Sequence, residues 1–293
     1  MPRYIIFLIS VIIIFPLLIC EKVNLNSIEN LNQGNIYVIG HGGAGFPSII
    51  PFNAIPTNSA SAFKQAIIEY KADGVELDIH MTKDFDFVLY HDKTLDTKTD
   101  KSGYVEDFTI KDLSETQYQL GFPYDLFQSE MIIGLDSAMK LFKSFQNFPI
   151  LQIDIRHYAE NKSPERNVIW EKKLADKLLV KLNGFDLDSS KVKIISISKN
   201  LCLYFLNNTS FPVSYEIKNL EEFDWVIKNK IKSVTINAKI LTTEFSAKAH
   251  ENGVEVIAFG SKSRSGNLDL IKKNPDQIQT DNLNALNNLL KRQ

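Results

Sequence analysis

The chain has 293 residues, 44% of them hydrophobic and 23% charged, and a net charge of −2. This is the composition of a folded globular chain, and it excludes disordered, collagen-like and disulfide-stapled classes. Acidic and basic residues nearly balance and no basic run occurs, so nucleic acid is excluded as the principal partner.

In chain order, the first feature is the apolar run of residues 4–19, "YIIFLISVIIIFPLLI", behind Arg3. A positive start followed by an apolar core reads as an export signal. Leu17, Leu18 and Ile19 are larger than signal cleavage prefers. Cys20 stands where a bacterial lipoprotein carries its lipidated cysteine, although Ile19 is not the small residue such a site uses. The run is also near the roughly 17-residue lower limit for spanning a bilayer. Residues 1–20 are therefore read as a signal or anchor segment. The protein is expected to be extracytoplasmic, either secreted or tethered to a membrane as a lipoprotein or by a signal anchor. Cys20 and Cys202 are the only cysteines, so no disulfide framework or cysteine-based zinc site is expected.

From residue 35 onward, short β-branched runs alternate with amphipathic stretches. Strands are predicted at 36–40, 74–79, 150–155, 192–197, 213–216, 233–236, 255–259 and 277–280. Helices are predicted at 60–72, 135–145, 170–182, 201–206, 220–228, 243–252, 267–273 and 283–290. Eight strands with helical crossovers predict an α/β fold, a (β/α)8 TIM barrel spanning residues 35–290. Residues 92–133 are too long for an ordinary βα loop and read as an inserted subdomain after the second strand.

The first predicted strand runs into "GHGGAG", residues 40–45. Taken literally, its glycines match the dinucleotide fingerprint, which needs a helix to start within the loop. Here Phe46 and Pro47 follow, then Pro51 and Pro56, so no helix begins before about residue 59. An oxyanion-loop reading needs a G-x-S-x-G nucleophile elbow, and the sequence has none. That leaves His41, at the C-terminal end of a barrel strand, where active sites of this architecture lie.

The most informative stretch is residues 72–92, "ADGVELDIHMTKDFDFVLYHD". Strand side chains alternate, so Glu76 and Asp78 share a face while Val75, Leu77 and Ile79 share the other. Two carboxylates inside a barrel mouth need a compensating cation. A hard divalent ion such as Mg²⁺ or Ca²⁺ suits oxygen ligands; an internal salt bridge to Lys or Arg is the structural alternative. The next strand, "LQIDIR", adds Asp154 and Arg156 on one face, and Arg156 offers a bidentate grip on an anionic oxygen. His91 follows an alternating run that returns it toward His41. Two histidines, three carboxylates and an arginine are the parts for metal-assisted phosphoester hydrolysis. His80 shares the carboxylate face and reads equally as a supporting or a structural residue. His157 and His250 need no catalytic role, and Trp170 and Trp225 read as packing residues.

The segments "GHGGA", "PTNSASAFKQAIIEYKADGVELDIHMTKD", "YHDKTLD" and "DQIQTD" resemble the glycerophosphodiester phosphodiesterase family over residues 35–290. The resemblance implies a TIM barrel with an inserted subdomain. It implies divalent-metal-dependent hydrolysis of glycerophosphodiesters to sn-glycerol 3-phosphate and an alcohol. Residue by residue, it implies that His41 and His91 are the acid/base pair and that Glu76 and Asp78 are metal ligands. Asp154 falls where the family usually has a third liganding Glu, and Arg156 where it has Lys.

The sequence departs from the family pattern at four places. Gly42 replaces the arginine of His-Arg-Gly, and Thr57-Asn58-Ser59 replaces Glu-Asn-Thr. Thr97, followed by Lys98, stands at another usual arginine, and Phe259-Gly260 at a usual tryptophan. A fainter resemblance, to sphingomyelinase D-type phospholipases, rests on the missing arginine and the Asp as third ligand. The expected function is thus a metal-dependent phosphoric diester hydrolase. The alternatives are a phospholipase D-type enzyme on lysophospholipids or sphingolipids, and a lipid-headgroup-binding barrel with weak catalysis.

Overall fold

The computed structural model describes residues 25–50, 52–156 and 164–292. The signal or anchor segment, Cys20 and His157 lie outside the described residues. Ten strands form one sheet: β1 (Tyr37–Gly40), β2 (Gly74–Met81), β3 (Phe87–Leu89), β4 (Ile133–Gly134), β5 (Ile150–Ile155), β6 (Val192–Ser196), β7 (Val213–Ile217), β8 (Ser233–Asn237), β9 (Glu255–Ser261) and β10 (Gln277–Thr280). Eight of them pair in parallel in the order β1-β10-β9-β8-β7-β6-β5-β2, and β1 also pairs with β2. That second pairing closes the sheet into an eight-stranded barrel, the fold expected from the sequence.

The strand pattern explains the closure. Val75, Leu77 and Ile79 of β2 and Leu151 and Ile153 of β5 are fully buried in the apolar layer shared with the outer helices. The opposite face carries polar groups that satisfy one another inside the barrel. Gln152 donates to Gln277, Gln279 donates to Gln152, and the Ser214 and Thr235 hydroxyls lie 2.8 Å apart. A buried polar lumen is stable only when its groups are paired in this way.

The helices are α1 (Ala60–Lys64), α2 (Ile110–Ser114), α3 (Leu135–Ser144), α4 (Pro164–Asn183), α5 (Lys199–Asn208), α6 (Phe223–Lys228), α7 (Thr243–Glu251), α8 (Arg264–Lys272) and α9 (Leu283–Leu289). Short polar residues start several of them: Ser198, Thr242, Ser263 and Asn282 each accept a backbone N–H from the first turn. Such caps supply partners for otherwise orphaned donors and fix where the helix begins. The first helix differs from expectation. It runs as α-helix only to Lys64 and continues as a π-helical turn over Gln65–Glu69. Among the described residues no helix is long and apolar enough to cross a membrane.

Two further short strands, β3 and β4, lie in the chain between β2 and β5. After β2 the chain turns through Thr82–Asp86, where the Thr82 amide donates to the Asp86 carbonyl, and β3 returns antiparallel against β2. Phe85 takes φ +63° in this turn. The β3 strand is too short for its periodicity to separate it from a loop. Val88, Tyr90, Leu95, Val105, Leu113, Tyr118 and Ile132 form a second small core there. The Tyr118 hydroxyl donates to the Thr57 carbonyl and the Ser61 hydroxyl to Glu130, which fastens the insertion to the barrel mouth and places His91 over it.

Candidate active site

All six residues singled out from the sequence meet at the C-terminal mouth of the barrel. His41, Glu76, His91, Asp154 and Arg156 line one cavity of about 150 Å³. Asp78 adjoins it, accepting a hydrogen bond from Arg156. The strand register explains the convergence. Glu76 pairs with Gln152 and Asp78 with Asp154 across β2 and β5, so the carboxylates occupy adjacent inward positions.

Glu76, Asp78 and Asp154 are all buried, and each offers an oxygen within 4.8 Å of the others. Glu76 Oε2 accepts the Gly42 amide at 2.8 Å, while its Oε1 is buried without a hydrogen-bond partner. Burial first, then the Asp78 charge, pushes the Glu76 carboxyl well above its usual range. Burial likewise pushes Asp154 up to about 7, although Arg156 opposes it. Asp78 goes the other way, down to about 2: burial opposes the shift, and Arg156 and other donors outweigh it. Such a set is over-supplied with negative charge and short of cations. Three convergent carboxylates with an orphaned oxygen match what a hard divalent cation requires.

Arg156 realises part of the salt-bridge alternative. Its Nε lies 2.5 Å from Asp78 and its Nη2 3.1 Å from Asp154. It therefore clamps two of the carboxylates. Its guanidinium also lines the cavity, where an anion can meet it.

Each histidine is oriented by a carboxylate. His41 Nδ1 is 2.7 Å from Asp281 at the end of β10, and His91 Nδ1 is 2.6 Å from Asp92. Asp92 is in turn 2.8 Å from Lys98. A histidine that donates through Nδ1 keeps Nε2 for proton exchange. Burial opposes a charge on His41, but Asp281, Glu76 and Asp78 outweigh it and raise its pKa to about 9. Phe46 stands edge-on to both rings, at centroid distances of 5.0 and 5.5 Å. Lys98 and Lys262 lie 5.8 Å from its ring. His80 is buried on β2 and is pushed down to about 4, mainly by burial, so it carries no charge at neutral pH. His250 lies away from the mouth and pairs with Asp276 at 2.9 Å.

Two of the unusual positions prove to be one local feature. Gly42 has φ +56°, and a Cβ placed on it would lie 2.6 Å from Thr57 Cβ. An arginine at 42 is therefore incompatible with this backbone while Thr57 is its neighbour. Between them runs the chain to Asn58, whose amide donates to the Gly42 carbonyl. Asn58 Nδ2 donates to Asp78 Oδ2 at 2.7 Å, and its Oδ1 accepts the Asp78 amide. It holds Asp78 from two sides, in the left-handed conformation (φ +64°) that Asn tolerates better than most residues. Replacing Asn58 by Ala is expected to weaken divalent-cation binding by about 10–100-fold, read by isothermal titration calorimetry. Unchanged affinity would mean that Asp78 is positioned by Arg156 alone.

Asp281, Asn58 and Glu216 were not identified as site residues from the sequence. Glu216, on β7, faces the same cavity. For Asp281 a signal existed in "DQIQTD", which carries the resemblance; for Glu216 only its alternation on a predicted strand was available.

Residues 51–285 match the model of the glycerophosphoryl diester phosphodiesterase family. A glycerophosphodiester phosphodiesterase of Caldanaerobacter subterraneus is 24% identical over 242 residues, which cover 81% of this chain and 93% of the relative. Among solved structures, an Oleispira antarctica phosphodiesterase in complex with the product sn-glycerol 3-phosphate superposes with a TM-score of 0.74. It is 15% identical and is covered in full by 90% of this chain. A glycerophosphodiester phosphodiesterase of Parabacteroides distasonis gives a TM-score of 0.69 at 19% identity, over 88% of this chain and 98% of that one.

Proposed function

The chain belongs to the glycerophosphoryl diester phosphodiesterase family, and from that premise we propose how its own residues carry out the reaction. It is a phosphoric diester hydrolase that cleaves glycerophosphodiesters to sn-glycerol 3-phosphate and an alcohol. The observation that carries the assignment of roles is the convergence of two carboxylate-oriented histidines on one cavity with a buried carboxylate triad.

Glu76, Asp78 and Asp154 would hold a divalent cation, with Mg²⁺ and Ca²⁺ as the candidates their oxygen ligands favour. When bound, the cation supplies electrostatic stabilisation of the phosphoryl oxygens. Arg156 clamps Asp78 and Asp154, and its guanidinium, which lines the cavity, also meets a phosphoryl oxygen. His41, held cationic by Asp281 and the nearby carboxylates, donates a proton from Nε2 to the leaving alkoxide. His91, fixed by Asp92, accepts the proton of the attacking water at its own Nε2. Phe46 packs edge-on against both rings. We also propose that the apolar run of residues 4–19 exports the protein and holds it at a membrane. Fractionation of cells into membrane, soluble and medium pools tests this, and recovery in the cytoplasm alone would refute it.

The hydrolysis itself is tested with purified protein, glycerophosphocholine and Mg²⁺ or Ca²⁺, with and without EDTA. The expected result is release of sn-glycerol 3-phosphate that stops when the cation is chelated. Cation binding without turnover of any glycerophosphodiester would point to a binding barrel instead.

A further inference from the structure

The cavity has two unlike walls. The wall built by β1, β2 and β5 carries His41, the carboxylates and Arg156, which account for the phosphoryl group and the proton transfers. The wall of β6–β10 carries Ile195, Glu216, Thr235, Phe259 and Gln279. Ile195 and Phe259 are apolar. The Thr235 hydroxyl is bonded to Ser214, and Gln279 donates to Gln152. Glu216 is different: no hydrogen bond to its carboxylate is found among the described residues, and Arg156 is the largest charge that compensates its burial.

β7 stands four strands from β1 in either direction round the closed sheet. Glu216 therefore faces the acid histidine from across the mouth. It lies on the inward face of β7, because its neighbour Tyr215 packs outward against Trp225 at 4.8 Å. A carboxylate in such a wall is costly unless a ligand brings donors to it. The phosphoryl group brings none. The remaining part of every glycerophosphodiester is glycerol, with two adjacent hydroxyls, and two parallel O–H donors match the two oxygens of one carboxylate. An ammonium group is the other donor of suitable size, but one aromatic ring, Phe259, makes a poor cage for a cation. The cavity, about 150 Å³, is on the scale of a three-carbon phosphate without its alcohol.

Resting on the hydrolase reading above, we propose that Glu216 binds the glycerol hydroxyls of the substrate and so selects diesters with a free glyceryl end. Phe259 packs along the glycerol carbons. The alcohol group lies outward, toward Phe46, Lys98 and Lys262.

The test compares wild type with Glu216→Gln and Glu216→Ala on two substrates in the presence of cation. Glycerophosphoglycerol has the hydroxyl pair and no ammonium; p-nitrophenyl phosphocholine has the ammonium and no glycerol. Competitive inhibition by sn-glycerol 3-phosphate and by methyl phosphate is measured alongside. Loss of a buried charge-assisted hydrogen-bond pair predicts a fall in kcat/KM on glycerophosphoglycerol of about 30–100-fold, mostly in KM. The fall on p-nitrophenyl phosphocholine is expected to be at least about ten times smaller. Inhibition by sn-glycerol 3-phosphate should weaken and inhibition by methyl phosphate should not. A loss confined to the phosphocholine substrate would assign Glu216 to the ammonium, and an equal loss on both would assign it to the cation or the chemistry. No loss on either would remove it from recognition. Each of these three outcomes overturns the proposal. If wild type hydrolyses neither substrate nor glycerophosphocholine, it is the hydrolase reading that fails. A glutamine variant with an unchanged melting temperature separates all of these from misfolding.

Discussion

Replacing His41 by alanine is expected to lower kcat by about 10³-fold with little change in KM. The size follows from what the histidine is built to do. Its Nδ1 is committed to Asp281 at 2.7 Å, and its pKa is raised to about 9. At neutral pH it is a proton donor facing the cavity, and the leaving alkoxide is the group in the reaction that most needs a proton. Asp281 acts only through that ring, so Asp281→Asn should cost less, about 10²-fold, by releasing the ring orientation and lowering the histidine's basicity. The two effects are not independent. Once the imidazole is gone Asp281 has nothing to orient, and the double variant should be no slower than His41→Ala alone. Multiplicative losses in the double variant would mean that Asp281 touches the substrate or the cation itself. A single-turnover measurement separates this chemistry from product release.

These particulars show which parts of the molecule are readable from sequence. The eight barrel strands were readable because each is a short β-branched run between a helix and a loop. Alternation alone placed Glu76 with Asp78 and Asp154 with Arg156. The roles of Asp281 and Asn58 were not readable, because alternation gives a face and not a partner. Asp281 is 240 residues from His41, and only barrel closure between β10 and β1 brings them together. The same holds for Gly42 and Thr57. In the sequence they are two separate departures from a family pattern; in the fold they are in contact, and the absence of one side chain accommodates the other. Arg156 was expected at an anion and is found clamping carboxylates as well, because its strand register puts it beside Asp78 as surely as beside the cavity.

The second large effect concerns Glu76, and it separates stability from activity. In the absence of a cation, Glu76→Gln is expected to leave the protein at least as stable as wild type, and by the following reasoning more so. Glu76 is buried, one of its oxygens has no partner, and two further carboxylates stand close by. Burial and the Asp78 charge both disfavour its ionised form. Glutamine has nearly the same shape, its amide oxygen can still accept from Gly42, and its NH₂ gives the neighbouring carboxylates a donor. Removing a carboxyl whose ionisation the fold disfavours should raise stability at neutral pH by about 1–3 kcal/mol, or several degrees in Tm for a chain of this size. With cation the order reverses. A cation at 100 times its Kd stabilises wild type by about 2.7 kcal/mol, an upward shift of about 5 °C or more, and the glutamine variant should lose most of that shift together with at least about 10³-fold in kcat. Differential scanning calorimetry of both proteins, with EDTA and with Mg²⁺ or Ca²⁺, reads every term. A variant that is less stable than wild type in EDTA would show that Glu76 is held in place for the fold. A variant that is more stable and inactive would show that it is kept, at a cost to the fold, for the cation.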